Sequence, residues 1–249
     1  MNFNKACREG NLEYLKTLNL DNIYINYNNQ AFCEACQNGH LEIAKWLIKI
    51  GEEKYISINI YSWNNRAFRC ACANGHFEVA KWLLDISIKQ KNIIYIHDED
   101  DEAFCWACVN GHLEIAKWLL YISDERKSPI NIHAKNEQAF RLACNNGHFE
   151  VMRWLYEIGI ERKNPFNIHI EYSSFYWIFY YDRFKIIKWL FNLYSTKYIK
   201  ENFSYHHLAK EELKNRKRSK LDLFLYLTEN KKFKNLLDMH AIAIISDYI

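Results

Sequence analysis

The sequence predicts a mainly α-helical solenoid of about six helix–turn–helix units with short extended arms, followed by a helical C-terminal cap. Glycine and tryptophan each recur every 36 residues, at Gly39, Gly75, Gly111 and Gly147 and at Trp46, Trp82, Trp118 and Trp154. A constant period between about 20 and 50 residues is the signature of a repeat array. Because two short helices cannot bury this much Trp, Phe and Ile alone, each unit has to stack on the next.

The first helix of a unit precedes the recurring glycine. In residues 31–36 the apolar side chains fall at i, i+1, i+4 and i+5, which predicts one buried stripe on a helix of about two turns. Asn38 and Gly39 follow, and glycine just past a helix end supplies the left-handed residue that closes it. Gly51 and Gly159 are expected to lie in turns after second helices.

The second helix begins at His40 and ends in a polar connection. Glu42 lies in its first turn, where the helix dipole favours a negative charge, and Trp46 and Leu47 belong to a broad apolar face. Alternating β-branched residues in the connection predict a short extended arm. The arms are Ile58 to Tyr61, Ile94 to His97, Ile130 to His133 and Phe166 to His169.

The units run from the start of the chain to about residue 194. Five of them are centred on Gly10, Gly39, Gly75, Gly111 and Gly147. A degenerate sixth unit spans Tyr180 to Leu190, where Tyr180 to Arg183 replace the glycine-containing turn. We therefore predict a repeat array over residues 1–194 and a basic helical cap over residues 195–249.

The unit resembles an ankyrin repeat in the Gly39-His40 turn and in the Glu-Ile opening of its second helix. It departs from the family where Gln30-Ala-Phe-Cys33 stands in place of the usual Thr-Pro-Leu-His, and its period is 36 rather than about 33. These departures and the richness in Asn, Ile, Lys and Tyr are similar to divergent ankyrin-repeat proteins of giant DNA viruses. The resemblance implies a protein-binding function and structural histidines that bond across the turns of neighbouring units.

Several function classes are not expected. The chain has no Gly-rich phosphate loop, nucleophile elbow or metalloprotease helix, so we predict no enzyme activity and no cofactor. No window holds 18 consecutive apolar residues, and the N-terminus lacks the apolar core of a signal peptide. We expect a monomeric protein of the cytoplasm, of a host cell if the chain is viral, with no membrane contact.

Two motifs could suggest metal binding. Cys33-x-x-Cys36 and Cys105-x-x-Cys108 have zinc-like spacing, but equivalent cysteines of stacked helices would lie about 8–10 Å apart, too far to share an ion bound at ~2.3 Å. We predict buried thiols in a reducing compartment and no metal.

The acidic run from Asp98 to Glu102 lacks the Gly and Glu that a calcium loop needs. It is expected to be a solvated arm tip or an acidic contact for a basic partner.

Residues that differ from unit to unit are free of the demands of stacking and can carry recognition. In ankyrin repeats the corresponding places line the concave surface where partners bind, and Trp and Arg are enriched at binding hot spots. The predicted partner-binding residues are Trp63, Asn64, Arg66, Arg69, Asp98, Asp100, Asp101, Trp106, Lys135 and Arg141.

The C-terminal segment supports alternative functions. Residues 195–249 hold 11 Lys and Arg against 7 Asp and Glu, whereas residues 1–194 hold 22 against 23. The cluster Lys214, Arg216, Lys217, Arg218 and Lys220 could be a nuclear localisation signal or a nucleic-acid patch, or a solvated helix face. The resemblance also raises the function of a ubiquitin-ligase substrate adaptor, although residues 195–249 contain no convincing F-box.

Overall fold

A computed structural model of the chain describes residues 2–18, 28–54, 57–166, 184–203 and 209–218. The chain divides into two compact units, Met1–Trp177 and Ile178–Ile249. The described part of the first unit contains α1 (Phe3–Glu9), α2 (Leu12–Thr17), α3 (Asn28–Gln37), α4 (Leu41–Glu53), α5 (Ser62–Ala73), α6 (Phe77–Lys89), α7 (Asp98–Val109), α8 (Leu113–Glu125), α9 (Ala134–Asn146) and α10 (Phe149–Glu161).

The helices form a stack of five hairpins. Each odd-numbered helix packs against its own even-numbered partner and against the odd-numbered helices of the neighbouring units, from α1 to α9. No β-strand occurs in the described ranges. The predicted mainly α-helical repeat solenoid is therefore confirmed, and the fold positions one first helix of each unit beside the next.

The turn between the two helices of a unit is closed by the recurring glycine. Gly75 has φ of +84°, and the His76 amide donates to the Ala71 carbonyl at 2.9 Å across the turn. A left-handed residue with this hydrogen bond is the Schellman closure of a helix. The predicted role of the glycine is confirmed here and, by positive φ, at Gly10, Gly39, Gly111 and Gly147.

The second helices α4 and α10 extend beyond Gly51 and Gly159, the glycines that were predicted to follow them. Gly51 lies within α4 and Gly159 within α10, so their assignment to turns after the second helix was wrong. At Gly159 a β-carbon would meet the Phe166 ring at 2.8 Å. Glycine stands inside that helix because the ring of Phe166 fills the space of a side chain.

A left-handed lysine follows each of the second helices α6, α8 and α10. Lys91, Lys127 and Lys163 have φ of 56°, 54° and 56°. The amide of the residue after each lysine reaches back into the helix, as Ser128 does to the Ser123 carbonyl at 3.0 Å. Lysine therefore occupies a position where glycine is usual.

The connections bury alternate residues, as the predicted arms require. Ile94 and Ile96 are 1% and 2% exposed, whereas Tyr95 between them is 60% exposed. Ile130 and Ile132 are buried in the same way. Neither segment is part of a β-strand, and the amides of Ile94 and Ile130 donate to the hydroxyls of Ser87 and Ser123. Of the fourth arm, Phe166 to His169, only Phe166 lies among the described residues.

The core is a repeated contact between aromatic rings of neighbouring units. The ring centroids of Phe32 and Trp82 lie 6.3 Å apart, and those of Phe68 and Trp118 lie 6.2 Å apart. The phenylalanines are fully buried and the tryptophans half-buried. Trp82 and Trp118 thus occupy equivalent places in neighbouring units, as the 36-residue spacing predicts.

The second compact unit contains α11 (Phe184–Leu193), α12 (Thr196–Phe203) and α13 (209–218) in its described part. Ile186, Ile187 and Leu190 are buried on one face of α11. This helix corresponds to the predicted second helix of the sixth unit, and the predicted turn from Tyr180 to Arg183 lies outside the described residues. The proposed division into an array over 1–194 and a cap over 195–249 stays a prediction.

Candidate binding groove

An open groove of about 450 Å³ crosses the first helices of three neighbouring units. It is lined by Gln37, Arg66, Arg69, Cys70, Ala73, Asn74, Glu102, Trp106 and Asn110. We call this surface the first-helix groove. It brings together three residues that the sequence predicts to bind a partner, namely Arg66, Arg69 and Trp106.

The helical repeat of α5 explains why its residues share this surface. Arg66, Arg69, Cys70 and Ala73 follow the spacing i, i+3, i+4 and i+7, which defines one face of a helix. The opposite stripe, with Ala67, Phe68, Ala71 and Cys72, is buried between the units. The side chains of α5 that are not needed for stacking therefore line the groove.

Three groove side chains are joined in one network. The Arg69 guanidinium forms an ion pair with Glu102 of the next unit, and the Trp106 Nε1–H donates to Glu102 Oε1 at 3.2 Å. Arg69 also donates from Nε to the Asn64 carbonyl at 2.8 Å and from Nη2 to the Trp63 carbonyl at 3.1 Å. The orientations of Arg69 and Trp106 are thus held by contacts within the array.

The carbonyls that Arg69 binds belong to a backbone feature that the sequence did not reveal. Trp63, Asn64 and Asn65 all have φ of 54°, so one left-handed turn precedes the regular part of α5. The same turn occurs at residues 99–101 and 135–137. A left-handed conformation costs about 1–2 kcal/mol for each residue other than glycine, so side-chain contacts have to stabilise these turns.

The turns of neighbouring units are linked to one another. Asn64 Nδ2 donates to Glu99 Oε1 at 2.7 Å. Lys135 Nζ donates to the Glu99 carbonyl at 3.2 Å and lies 3.6 Å from Asp100 Oδ2. Trp63 remains 53% exposed at the first of these turns. Four predicted binding residues, Trp63, Asn64, Asp100 and Lys135, therefore lie along a line of turns rather than in the groove.

Two predicted binding residues point into the array. Asp101 is only 8% exposed. Its carboxylate accepts from His97 Nδ1 at 2.6 Å and from the Asn131 amide at 3.1 Å. Asp98 accepts a hydrogen bond from Asn65 of the preceding unit. The acidic run is thus not solvated throughout, because part of it satisfies polar groups between units.

Arg141 has the same local role as Arg69. Its Nε donates to the Asn136 carbonyl at 2.7 Å, across the left-handed turn that precedes the regular part of α9. Arg141 does not line the first-helix groove. This position holds Cys33, Arg69, Cys105 and Arg141 in successive units. Arginine therefore stabilises the left-handed turn in every second unit, and cysteine stands at the same position in the units between.

The repeated histidines connect the turns of successive units. His40 Nε2 donates to the Arg8 carbonyl at 2.9 Å, which confirms the structural role that the resemblance implies. Asn74 and Asn110 add parallel bonds, from Nδ2 to the Gln37 carbonyl at 3.0 Å and to the Ala73 carbonyl at 2.7 Å. Burial lowers the pKa of His112, partly offset by its hydrogen bond to the Ala73 carbonyl.

All eight cysteines lie in the described ranges and are free thiols. Burial raises the pKa of Cys7 and of Cys33 to about 12, with smaller contributions from Glu34 at Cys7 and Cys70 at Cys33. Cys70, in the groove, is the half-exposed thiol of the eight. In the described part of the chain, no three His, Cys, Asp or Glu side chains are grouped to hold a metal ion.

The basic cluster of the second compact unit is partly engaged. Arg216 pairs with Glu212 at 2.7 Å and donates to the Tyr194 carbonyl at 2.8 Å. Lys214, Lys217 and Arg218 are exposed on α13, and Lys220 lies outside the described residues. The predicted nuclear signal stays a prediction, with Arg216 serving the packing of its own unit.

Comparison with known families agrees with this geometry. A family model described as ankyrin repeats (3 copies) matches residues 3–93, 32–130 and 88–167, which together exceed half of the chain. The chain therefore belongs to the ankyrin-repeat family, whose members are generally protein–protein interaction modules and typically non-enzymatic scaffolds. A search of curated proteins found no match. Within the described residues, no helix is long and apolar enough to cross a bilayer.

Five lining residues of the groove were not predicted as binding residues, namely Gln37, Cys70, Ala73, Asn74 and Asn110. Cys70 occupies the slot of Trp106, so variation at that slot was a signal that could have identified it. Glu102 belongs to the acidic run that was expected as a possible contact for a basic partner, and in the structure it pairs with Arg69 of the preceding unit.

Proposed function

We propose that this chain is a non-catalytic module that binds a protein partner through the first-helix groove and the adjoining turn at Trp63. The observation that carries the proposal is the exposure of two tryptophans on neighbouring first helices, Trp63 at 53% and Trp106 at 38%. Large aromatic side chains at a surface, beside an arginine, are the residues that dominate binding energy at interfaces. Ankyrin repeats bind proteins through the equivalent concave surface.

The preorganisation of the groove supports the same function. Glu102 fixes both the Trp106 indole and the Arg69 guanidinium. A surface whose side chains are already ordered loses less conformational entropy on binding. The groove therefore offers a partner a rigid site rather than an adaptable one.

Alanine substitution of both tryptophans tests the proposal. We expect Trp63→Ala with Trp106→Ala to reduce affinity capture of the specific partner by at least tenfold, since each hot-spot residue contributes about 2 kcal/mol or more. Tyr121→Ala is the matched control, because Tyr121 is 63% exposed on α8 and does not line the groove. Undiminished capture by a folded double variant would contradict the proposal.

We further propose an intracellular location and a host protein as the partner. The location is supported by the seven buried free thiols, which reducing compartments preserve. The host partner follows from the resemblance to ankyrin-repeat proteins of giant DNA viruses. Capture followed by mass spectrometry, from host cytosol and host nuclei separately, tests both statements and distinguishes the adaptor and nuclear alternatives.

A further inference from the structure

The first-helix groove carries one positive charge that its own side chains do not neutralise. Its charged lining residues are Arg66, Arg69 and Glu102, of which Arg69 and Glu102 form an ion pair. Arg66 is exposed. Among the described residues, no hydrogen bond or ion pair engages its guanidinium. The net charge of the lining is therefore +1, centred on Arg66.

An apolar wall stands beside this charge. The Trp106 indole is 38% exposed, and its Nε1–H is already used by Glu102. Its remaining capacity for contact is apolar. Cys70 and Ala73 add a small, weakly polar surface to the same lining. A complementary ligand thus combines one anionic group with one apolar side chain.

We infer that the groove binds an acidic segment of a protein partner, with an Asp or Glu carboxylate on Arg66 and a neighbouring apolar side chain on Trp106. The inference rests on the proposed protein-binding function and names the chemistry of the partner. A guanidinium presents a planar fork of donors that matches the two oxygens of a carboxylate. A groove of about 450 Å³ accommodates a few side chains at once.

The surroundings favour a carboxylate over a nucleic acid. Nucleic-acid binding draws its affinity from many phosphate contacts, whereas the lining has a single unpaired cation. Glu99 and Asp100 are exposed at the adjoining turn, with 80% of the Asp100 side chain accessible. Lys135 offsets the charge of Asp100 at 3.6 Å, so Glu99 and Asp100 together keep a net negative charge that disfavours a polyanionic backbone more than a single carboxylate on Arg66.

A displayed library of random peptides, about twelve residues each, provides the probe. The immobilised full chain is used for selection, and in parallel the Arg66→Glu chain. We expect the wild type to enrich peptides with Asp or Glu next to a large apolar residue, and the Arg66→Glu chain to enrich Lys or Arg at that place. Lys117→Glu is the control, because it makes the same charge change on α8, outside the groove. We expect this variant to enrich the same peptides as the wild type.

The most enriched peptide is then synthesised and titrated against purified variants. Arg66→Glu should weaken its binding about tenfold, and Arg66→Lys by a smaller factor, because lysine keeps the positive charge but loses the planar fork of donors. Glu102→Gln should strengthen it about twofold, because one negative charge leaves the lining. Circular dichroism and thermal unfolding verify that each variant is folded.

The outcomes separate this inference from the function it rests on. If Trp106→Ala abolishes peptide binding while wild-type and Arg66→Glu pools share one charge composition, the groove binds peptides but the carboxylate assignment is overturned. If no peptide is enriched, or if Trp63→Ala and Trp106→Ala leave peptide affinity unchanged, the groove is not the partner-binding site and the proposed function fails as well. A phosphoserine peptide that binds more than about tenfold tighter than its Glu counterpart would replace the carboxylate by a phosphate.

Discussion

The imidazole of His112 lies directly over Gly75 of the preceding unit. A β-carbon at residue 75 would come within 2.6 Å of His112 Cε1, and the ring is hydrogen-bonded to the Ala73 carbonyl of the same turn. The same pairing joins Gly39 with His76 and Gly111 with His148. Glycine therefore serves two purposes here, since it adopts positive φ and admits the neighbouring ring.

Gly75→Ala should destabilise the array by about 2–4 kcal/mol. About 1–2 kcal/mol comes from a non-glycine residue at φ of +84°, and the remainder from displacement of the His112 ring. Urea unfolding followed by circular dichroism measures the change. In a chain that already carries His112→Ala, Gly75→Ala should lower the free energy of unfolding by only about 1–2 kcal/mol, the part that comes from the backbone conformation. Equal costs in both backgrounds would show that the ring and the glycine are not coupled.

The stability of the array should fall as the pH drops below about 6.5. Burial lowers the pKa values of His76 and His112 in the folded chain, so the unfolded chain takes up protons first. The stabilisation is fully present above the unfolded pKa and is lost as the pH falls through the folded pKa. Urea unfolding at about pH 7.5 and about pH 5.5 measures this slope.

The variant with both His76→Gln and His112→Gln is the control for the pH effect. Glutamine can donate a hydrogen bond but does not titrate in this range. We expect a shallower dependence on pH in the double variant, although its stability at neutral pH can be lower. An unchanged slope would assign the effect to other groups.

Ser123→Ala should destabilise the chain by about 1–3 kcal/mol. The Ser123 hydroxyl donates to the Leu120 carbonyl at 2.7 Å and accepts from the Ile130 amide at 3.3 Å. Loss of the hydroxyl leaves this buried amide without a partner. Thermal unfolding measures the effect against Ser128→Ala, an exposed serine of the same connection. Similar unfolding temperatures for the two variants would refute the bridging role.

Lys127→Gly should stabilise the array by about 1 kcal/mol. Lys127 has φ of 54° at the end of α8, and glycine adopts that conformation without the steric cost of a β-carbon. The midpoint of urea unfolding is the measurement. Lys127→Ala removes the same charge but keeps the β-carbon, so no gain is expected from it. A gain in the alanine variant would point to charge rather than backbone strain.

Much of the fold could be predicted because packing between units repeats in the sequence. The 36-residue spacing of Trp82 and Trp118 required equivalent environments, and their rings contact equivalent phenylalanines. Gly75 and its counterparts indicated where first helices end. Gly159 could not be placed in the same way, because its position depends on the size of Phe166 seven residues later.

The candidate site could be predicted only in part. Variation between units identified Arg66 and Trp106 as surface residues, and both line the groove. The same criterion selected Asp101, which the structure buries beside His97. A position that varies between units can serve either a partner or a bond between two dissimilar units, and sequence variation does not distinguish these demands.

The sequence by itself determined the period of the array, the glycine turns and the apolar stripes, because stacking makes the same demand on every unit and that demand repeats along the chain. Only the tertiary structure decided that Arg69 forms an ion pair with Glu102 and a hydrogen bond to the Asn64 carbonyl. It also decided that Arg66 is exposed. The physical reason is distance along the chain. The partner of Arg69 lies in the next unit, and stacking alone brings the two charges together.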